Sequence, residues 1–275
     1  KDGRPAGSKS YMWVYRTGRM YADRQIVLYE YQGTRNASHP REFLRNFNGT
    51  CVTDGYQVYH TIGNEREDLR IAGCWSHARR RFDEAVKALP KAKRKDSRAY
   101  LALTMIQAIY REEKQLKDLP AEERKNRRQL SVRPLVEAYF AWAKENMSKV
   151  PGKSKTWEGF SYSINQENYL KVFLDDGEVP MDNNAAEQSI RGFCIGKKNW
   201  VMIDTVAGAK SSAIIYSIAE TAKANNLKPY DYFEHLLTEI PRHLDDTDRT
   251  FLDGLLPWSP NLPENCRKSG KNEMK

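Results

Sequence analysis

Aromatic and β-branched residues alternate with polar ones through SYMWVYRTG (10–18) and RQIVLYEYQG (24–33). That period-two pattern, with Gly18, Arg19 and Asp23 at the connection, predicts an antiparallel hairpin. NASHPREFLRNF then shifts to a helical, Pro-started pattern with Phe43, Leu44 and Phe47 on one face. GTCVTDGYQVYH predicts a short apolar strand ending on Asp54-Gly55, and DLRIAGCW a second strand running into the basic helix SHARRRFDEAVKAL. From about 91 to 155 the chain becomes long, charged and helical: LALTMIQAIYREEKQL and PLVEAYFAWAKENM carry apolar residues at helical spacing. AEERKNRRQLSVR between them is almost wholly polar and predicts a solvated helix or turn. GAKSSAIIYSIAETAKANN and PYDYFEHLLTEI predict two further amphipathic helices. The tail after Leu252 is rich in Pro, Asn and Lys, and 268–275 is expected to be disordered. Strands precede the helical block, which reads as an insertion into the strand-bearing domain, and helices follow it, a mix of the α/β class.

Composition narrows this picture. The 275 residues, 40% hydrophobic and 29% charged, suit a globular chain with a real core. No apolar run approaches the roughly 18 residues that span a membrane, and KDGRPAGSKS lacks the apolar stretch of a signal peptide. A net charge of +9 favours a polyanionic partner, most commonly nucleic acid. The four cysteines are too scattered for a disulfide framework or a CxxC metal site, and they suit a reducing cytoplasm.

Four constellations carry candidate chemistry. Asp54 ends an apolar strand and precedes Gly55, at the sheet edge where α/β folds place their sites; a D-G turn is the plainer alternative. In MDNNAAEQSIR, Asp182 or Asn183 can cap a helix beginning near Ala185, with Glu187 in its first turn and Arg191 one turn on. The concentration of Asp182, Asn183, Asn184 and Glu187 supplies oxygen donors of the kind that hold Mg²⁺. Two carboxylates from distant segments suit phosphodiester chemistry with two Mg²⁺ about 4 Å apart. The ions would relieve the carboxylates' mutual repulsion. In GCWSHARRRF, Cys74 and His77 have C-x2-H spacing without a second pair for zinc, so Cys74 and Trp75 are expected in the core and His77 beside a site residue. Arg79, Arg80 and Arg81 form either a solvated face or phosphate contacts. In GKKNWVM, Lys197 and Lys198 beside Trp200 pair cations with an aromatic plate, suited to backbone contact and base stacking; a core Trp with two surface lysines is the alternative.

Together these residues resemble a bacterial transposase of the insertion sequence 66 family. The matching strings are YMWVYRTG, VTDGYQVYH, GCWSHARRRF, MDNNAAEQSIRGFCIGKKNW, GAKSSAIIYSIAETAKANNLKPYDYFEHLL and LDGLLPWSPN, in family order from about Ser10 to Asn261. The resemblance implies a ribonuclease-H-like fold, a mixed sheet flanked by helices with a helical insertion. It implies residues 10–90 as the first part of the catalytic core and 91–160 as the insertion. The core would resume over 161–250 with the Glu-bearing helix, and 251–275 would be a tail. It implies a DDE site with Asp54 as second acid and Glu187 as third, both ligating Mg²⁺ or Mn²⁺, with Asp182, Asn183, His77 and Arg191 in support. DNA would be contacted by Arg79, Arg80, Lys197, Lys198 and Trp200. The implied activity is metal-dependent cleavage at element ends and transfer of the 3′-hydroxyl onto target DNA. The implied partners are element-end and target DNA, accessory element-encoded proteins and further copies of the chain on DNA, in a bacterial cytoplasm near the nucleoid.

The sequence departs from the family pattern at its start. The family's first Asp lies in a D-E-T-like strand before the YMWVY strand, and neither Asp2 nor Asp23 matches it. The expectation is therefore a catalytic portion lacking the first acid, the central strand and an N-terminal DNA-binding region. Two alternatives follow: an inactive DNA-binding remnant of a transposase, or a ribonuclease-H-like nuclease.

Overall fold

The computed structural model describes residues 3–5, 7–21, 24–200, 203 and 205–268, without the side chains of 197–200. They form two compact units, one drawn from 1–35 with 186–275 and the other from 36–185.

In the first unit, β1 (Tyr11–Arg16) pairs antiparallel with β2 (Val27–Gln32), Tyr11 opposite Gln32 and Arg16 opposite Val27. This is the hairpin expected from the alternation.

The second unit opens with α1 (Ser38–Phe43), where Leu44 alone of the expected apolar face is buried and Phe43 and Phe47 are exposed. A β-α-β unit follows: β3 (Gly49–Val52), α2 (Gln57–Asn64) and β4 (Leu69–Ala72), the two strands parallel with Gly49 opposite Leu69. Parallel neighbours need such a crossover. Gly63 lets α2 lie against β4, because a Cβ there would come within 2.5 Å of the Ile71 side chain. Leu44, Ile62, Leu69 and Ile71 fill the space beneath.

The rest of this unit is helical: α3 (Trp75–Lys87), α4 (Arg98–Gln115), α5 (Ala121–Arg127), α6 (Arg133–Met147), α7 (Lys155–Asn165) and α8 (Glu167–Leu170). Ser97 and Ser154 cap α4 and α7 by accepting from Tyr100 N–H and Trp157 N–H. One apolar core serves α3, α4, α6 and α7, so the helical block is not a separate body from the helix after β4. Trp75 is its centre: fully buried, tilted against Tyr139 and Phe140, with Nε1 donating to Leu170 O at 2.8 Å.

The polar stretch between α4 and α6 departs from its expected solvation. Arg124 is 6% exposed and Arg128 0%. Arg124 donates to the carbonyls of Leu116, Lys117, Leu119 and Gly177, tying off the chain around the α4–α5 turn. Arg128 pairs with Glu113 and donates to Phe173 O and Asp176 O, both at 2.6 Å. A fully buried guanidinium is tolerated only when its fork is filled in this way. A π-turn over Arg128–Val132 joins α5 to α6. Pro134 contributes there, since it has no N–H to offer the preceding turn.

The chain returns to the first unit along α9 (Asn184–Trp200), whose opening residues belong to the second unit. In the first unit α10 (Val206–Ala224) lies along β2, with α11 (Pro229–Glu239) and α12 (Phe251–Leu255) beyond it. Ala209, Ala213, Ser217 and Thr221 recur every four residues, giving α10 a small-residue face. The two hydroxyls on it reach the strand: Val27 N–H donates to Thr221 Oγ1 at 3.0 Å and Tyr29 N–H to Ser217 Oγ at 2.8 Å. The outer edge of β2 is thereby satisfied by side chains instead of another strand. Leu262 and Cys266 are buried with α11, and 269–275, expected to be disordered, lie outside the described residues.

The class is mixed α/β, as expected. Among the described residues, however, the strands form two separate two-stranded sheets and not one mixed sheet.

Candidate functional site

β3 and β4 run parallel, so both deliver their carboxyl ends to the same edge. Thr53 N–H still bonds Ala72 O at 2.9 Å, and the chain then turns out at Asp54. Gly55 makes that turn with φ +83°, a left-handed conformation that costs a side-chain-bearing residue about 1–2 kcal/mol. The Asp54 carboxylate is exposed; its Oδ1 accepts from Tyr56 N–H at 3.1 Å, and it makes no ion pair among the described residues.

Behind Asp54 lies a buried polar layer. Thr53 and His60 are 2% and 3% exposed, and Thr53 Oγ1 and His60 Nε2 have no partner among the described residues. The His60 ring stacks flat on Tyr169, centroids 3.9 Å apart. Tyr162 and Gln166 on and after α7 close the layer: a Cβ at Gly55 would sit 3.0 Å from the Tyr162 hydroxyl. Burial pushes the Tyr162 phenol up to about 12; Cys74 and Asp54 act in the same direction and the Arg81 guanidinium opposes them.

At the end of β4, Gly73 leads to Cys74 and α3. Cys74 is fully buried, and burial pushes its thiol up to about 11. It is a neutral hydrogen-bond acceptor, taking Asn183 N–H on Sγ at 3.2 Å. Trp75 N–H donates to Met181 O at 3.1 Å, and Ser76 Oγ to Asn184 Oδ1 at 2.9 Å. The start of α9 is thus pinned to the carboxyl end of β4. Asp182 spends both oxygens there: Oδ1 on Asn184 N–H, Oδ2 on Asn184 Nδ2 at 2.8 Å and on the Tyr110 hydroxyl at 3.3 Å. Burial, and then the Asp182 charge, raises the Tyr110 phenol.

The remaining sequence-derived candidates are placed as follows. His77 is half-buried in the first turn of α3, its N–H on Cys74 O. Arg79 and Arg80 are exposed on that helix; Arg79 lies over the Tyr110 ring, 5.5 Å from its centroid. In the first unit, Glu187 is half-buried in the first turn of α9. Arg191 is exposed and forms no ion pair with Glu187 or any other acid among the described residues, although the spacing would allow one. Lys197, Lys198 and Trp200 end α9, but their side chains lie outside the described residues, as do Asp2 and Asp23. Sequence reasoning did not single out His60, Tyr110, Tyr162, Gln166 or Tyr169. Only His60 had a signal, as the last residue of VTDGYQVYH.

The donor at Asp54 is an exposed carboxylate with one oxygen to spare, the ligand type that suits a hard divalent cation such as Mg²⁺.

The sequence pattern of the Transposase IS66 family matches residues 1–211. The chain belongs to the IS66 transposase family. The IS66 C-terminal element matches residues 217–258. Among curated proteins, this IS66 chain is similar to the uncharacterized protein y4qI of Sinorhizobium fredii (strain NBRC 101917 / NGR234), 28% identical over 92% of this chain and 47% of that protein. It is also similar to the uncharacterized protein y4jD of the same strain, 29% identical over 85% of this chain and 45% of that one. The chain therefore spans less than half the length of these relatives. No solved structure matches it significantly. No helix among the described residues is long and apolar enough to cross a membrane.

Burial holds His60 below the ordinary imidazole value of about 6.5, against the opposing pull of Asp54. The sign follows: above that value both folded and unfolded chains carry a neutral ring, and there is no penalty. As pH falls through it, the unfolded chain takes up a proton that the folded chain resists, and stability declines until the folded ring titrates. Urea midpoints measured between about pH 7.5 and 5 are expected to fall with pH. His60→Phe, which keeps the stack on Tyr169, is expected to flatten part of that slope; an unchanged slope excludes the mechanism.

Proposed function

We propose that this IS66 chain is the catalytic portion of a DDE-type transposase with a ribonuclease-H-like core, in which Asp54 and Glu187 are the second and third acids. The observation that carries the reading is at the carboxyl ends of β3 and β4. An exposed Asp54 with an oxygen to spare follows one strand, and Cys74, two residues beyond the other, accepts from Asn183 N–H at the opening of the helix that bears Glu187. Such strand ends are where α/β folds gather their chemistry.

Asp54 and Glu187 supply anionic oxygens; bound Mg²⁺ or Mn²⁺ would activate the attacking hydroxyl and stabilise the leaving oxygen of a phosphodiester. Asp182, Asn183 and Ser76 hold the start of α9, the helix whose first turn carries Glu187. His77 and Arg191 support the acids. Arg79 and Arg80 are exposed on α3 and suit phosphate contact, as do Lys197 and Lys198 with Trp200. DNA is the substrate and partner, and the basic charge of +9 suits it. Accessory proteins, assembly on DNA and a place near the nucleoid belong to the same proposal.

The test is an assay of the whole protein on DNA carrying element ends, with Mg²⁺ or Mn²⁺ and a target duplex. Cleaved ends joined to target are expected. Cleavage without joining would point to a nuclease instead, and binding with neither would leave a DNA-binding remnant.

A further inference from the structure

Beside Asp54 the surface opens into a groove of about 270 Å³ between α3 and α7, with Arg81 on one side and Trp157, Ser161, Tyr162 and Asn165 on the other. Gln166 closes it. Its place follows from Gly55: a Cβ there would be 3.0 Å from Tyr162 Oη and 3.7 Å from Gln166 Oε1, so the Asp54-Gly55 turn abuts the groove wall. The Arg81 guanidinium lies over the Tyr162 ring, 4.4 Å from its centroid. Gln166 Oε1 is buried and has no partner among the described residues.

We infer that this groove holds a single unstacked nucleobase of the DNA strand that is cut or joined at Asp54. The inference rests on the proposed role of Asp54 and adds what lies beside the reacting phosphate. Four observations support it. The volume admits one flat ring and no duplex. Trp157 and the Arg81 guanidinium that lies over Tyr162 offer the aromatic and guanidinium surfaces on which unstacked bases lie. Asn165, Ser161 and Gln166 bring amide and hydroxyl groups to the base edge, and the unpartnered Gln166 acceptor lacks only a donor such as an exocyclic amine. Glu158 also lines the groove. Its negative charge repels a phosphate there, so the base enters and the backbone stays outside, toward the turn that bears Asp54. Extruding a base costs least where the strand is already unpaired, as it is at a cut end.

The test compares a short single-stranded oligonucleotide containing 2-aminopurine with a blunt duplex of the same sequence, each titrated with the purified chain. Quenching of 2-aminopurine and tighter binding of the single strand are expected. Trp157→Ala is expected to weaken single-strand binding roughly tenfold and to remove the quenching, with duplex binding unchanged; Trp157→Phe should restore most of both. Gln166→Leu, which removes the acceptor with little change of bulk, should blunt discrimination between bases and gives a second measurement if Trp157→Ala unfolds. Equal losses on single strand and duplex, or no loss on either, would overturn the inference. Asp54→Asn keeps single-strand binding under this scheme, so the groove and the acids fail separately. A groove that fails leaves the acids' own assay untouched, and active Asp54→Asn removes the acids while the Trp157 result stands.

Discussion

Asp54→Asn and Glu187→Gln are each expected to reduce strand transfer by the whole protein to background while DNA binding persists. The substitutions are close in shape and remove only charge and one anionic oxygen. In Asp54→Asn the new amide oxygen would still accept from Tyr56 N–H, so the turn, set by the Gly55 conformation, survives. A hard divalent cation bound through carboxylate oxygen loses both its charge partner and its preferred ligand type. Phosphodiester chemistry that depends on that ion then has no ready substitute ligand, because Asp182 is already spent on Asn184 and Tyr110. Under the proposed function binding depends on cationic side chains elsewhere, so an anisotropy titration on element-end DNA should change little. Transfer at the wild-type level by either variant would sink the assignment of that acid.

The largest effect on stability is expected at Glu113. Arg128 is wholly enclosed, stacked 5.1 Å from the Phe173 ring centroid and held by Glu113 and two carbonyls. Glu113→Ala leaves that guanidinium buried without its counter-charge, and breaking such a pair costs about 3–5 kcal/mol. Arg128→Met is expected to cost a comparable amount for a different reason. It frees Glu113 and also deprives Phe173 O and Asp176 O of their donor. Arg128→Lys should not rescue it, since one ammonium cannot serve a carboxylate and two carbonyls with the geometry of the fork. Urea unfolding checks all three variants. A loss below about 1 kcal/mol for Glu113→Ala, the range of an exposed pair, would show that the pair is not what organises this region.

The two regions differ in how far the sequence anticipated them. Asp54 and the MDNN-to-Glu187 string stood out because a carboxylate after an apolar strand and a capped helix start are local patterns. The hairpin, both parallel strands and the main helices follow from periods of two and of three to four residues, which the chain carries within single segments. AEERKNRRQLSVR misled for a related reason: an Arg reads as solvated unless its partner is known. The partners of Arg128 are Glu113 and residues 45 and 48 positions away.

Patterns carried within single segments suffice for the α/β class, the order of the elements, the basic charge and, through ordered motifs, membership of the IS66 family. The tertiary structure alone decided which polar groups are buried and what surrounds Asp54. His60 stacks on Tyr169, Tyr162 and Gln166 approach Gly55, and Cys74 receives Asn183 from 109 residues away. Those contacts depend on where packing returns the chain. Local propensity specifies a residue's own backbone but says nothing about a neighbour that arrives from a distant segment.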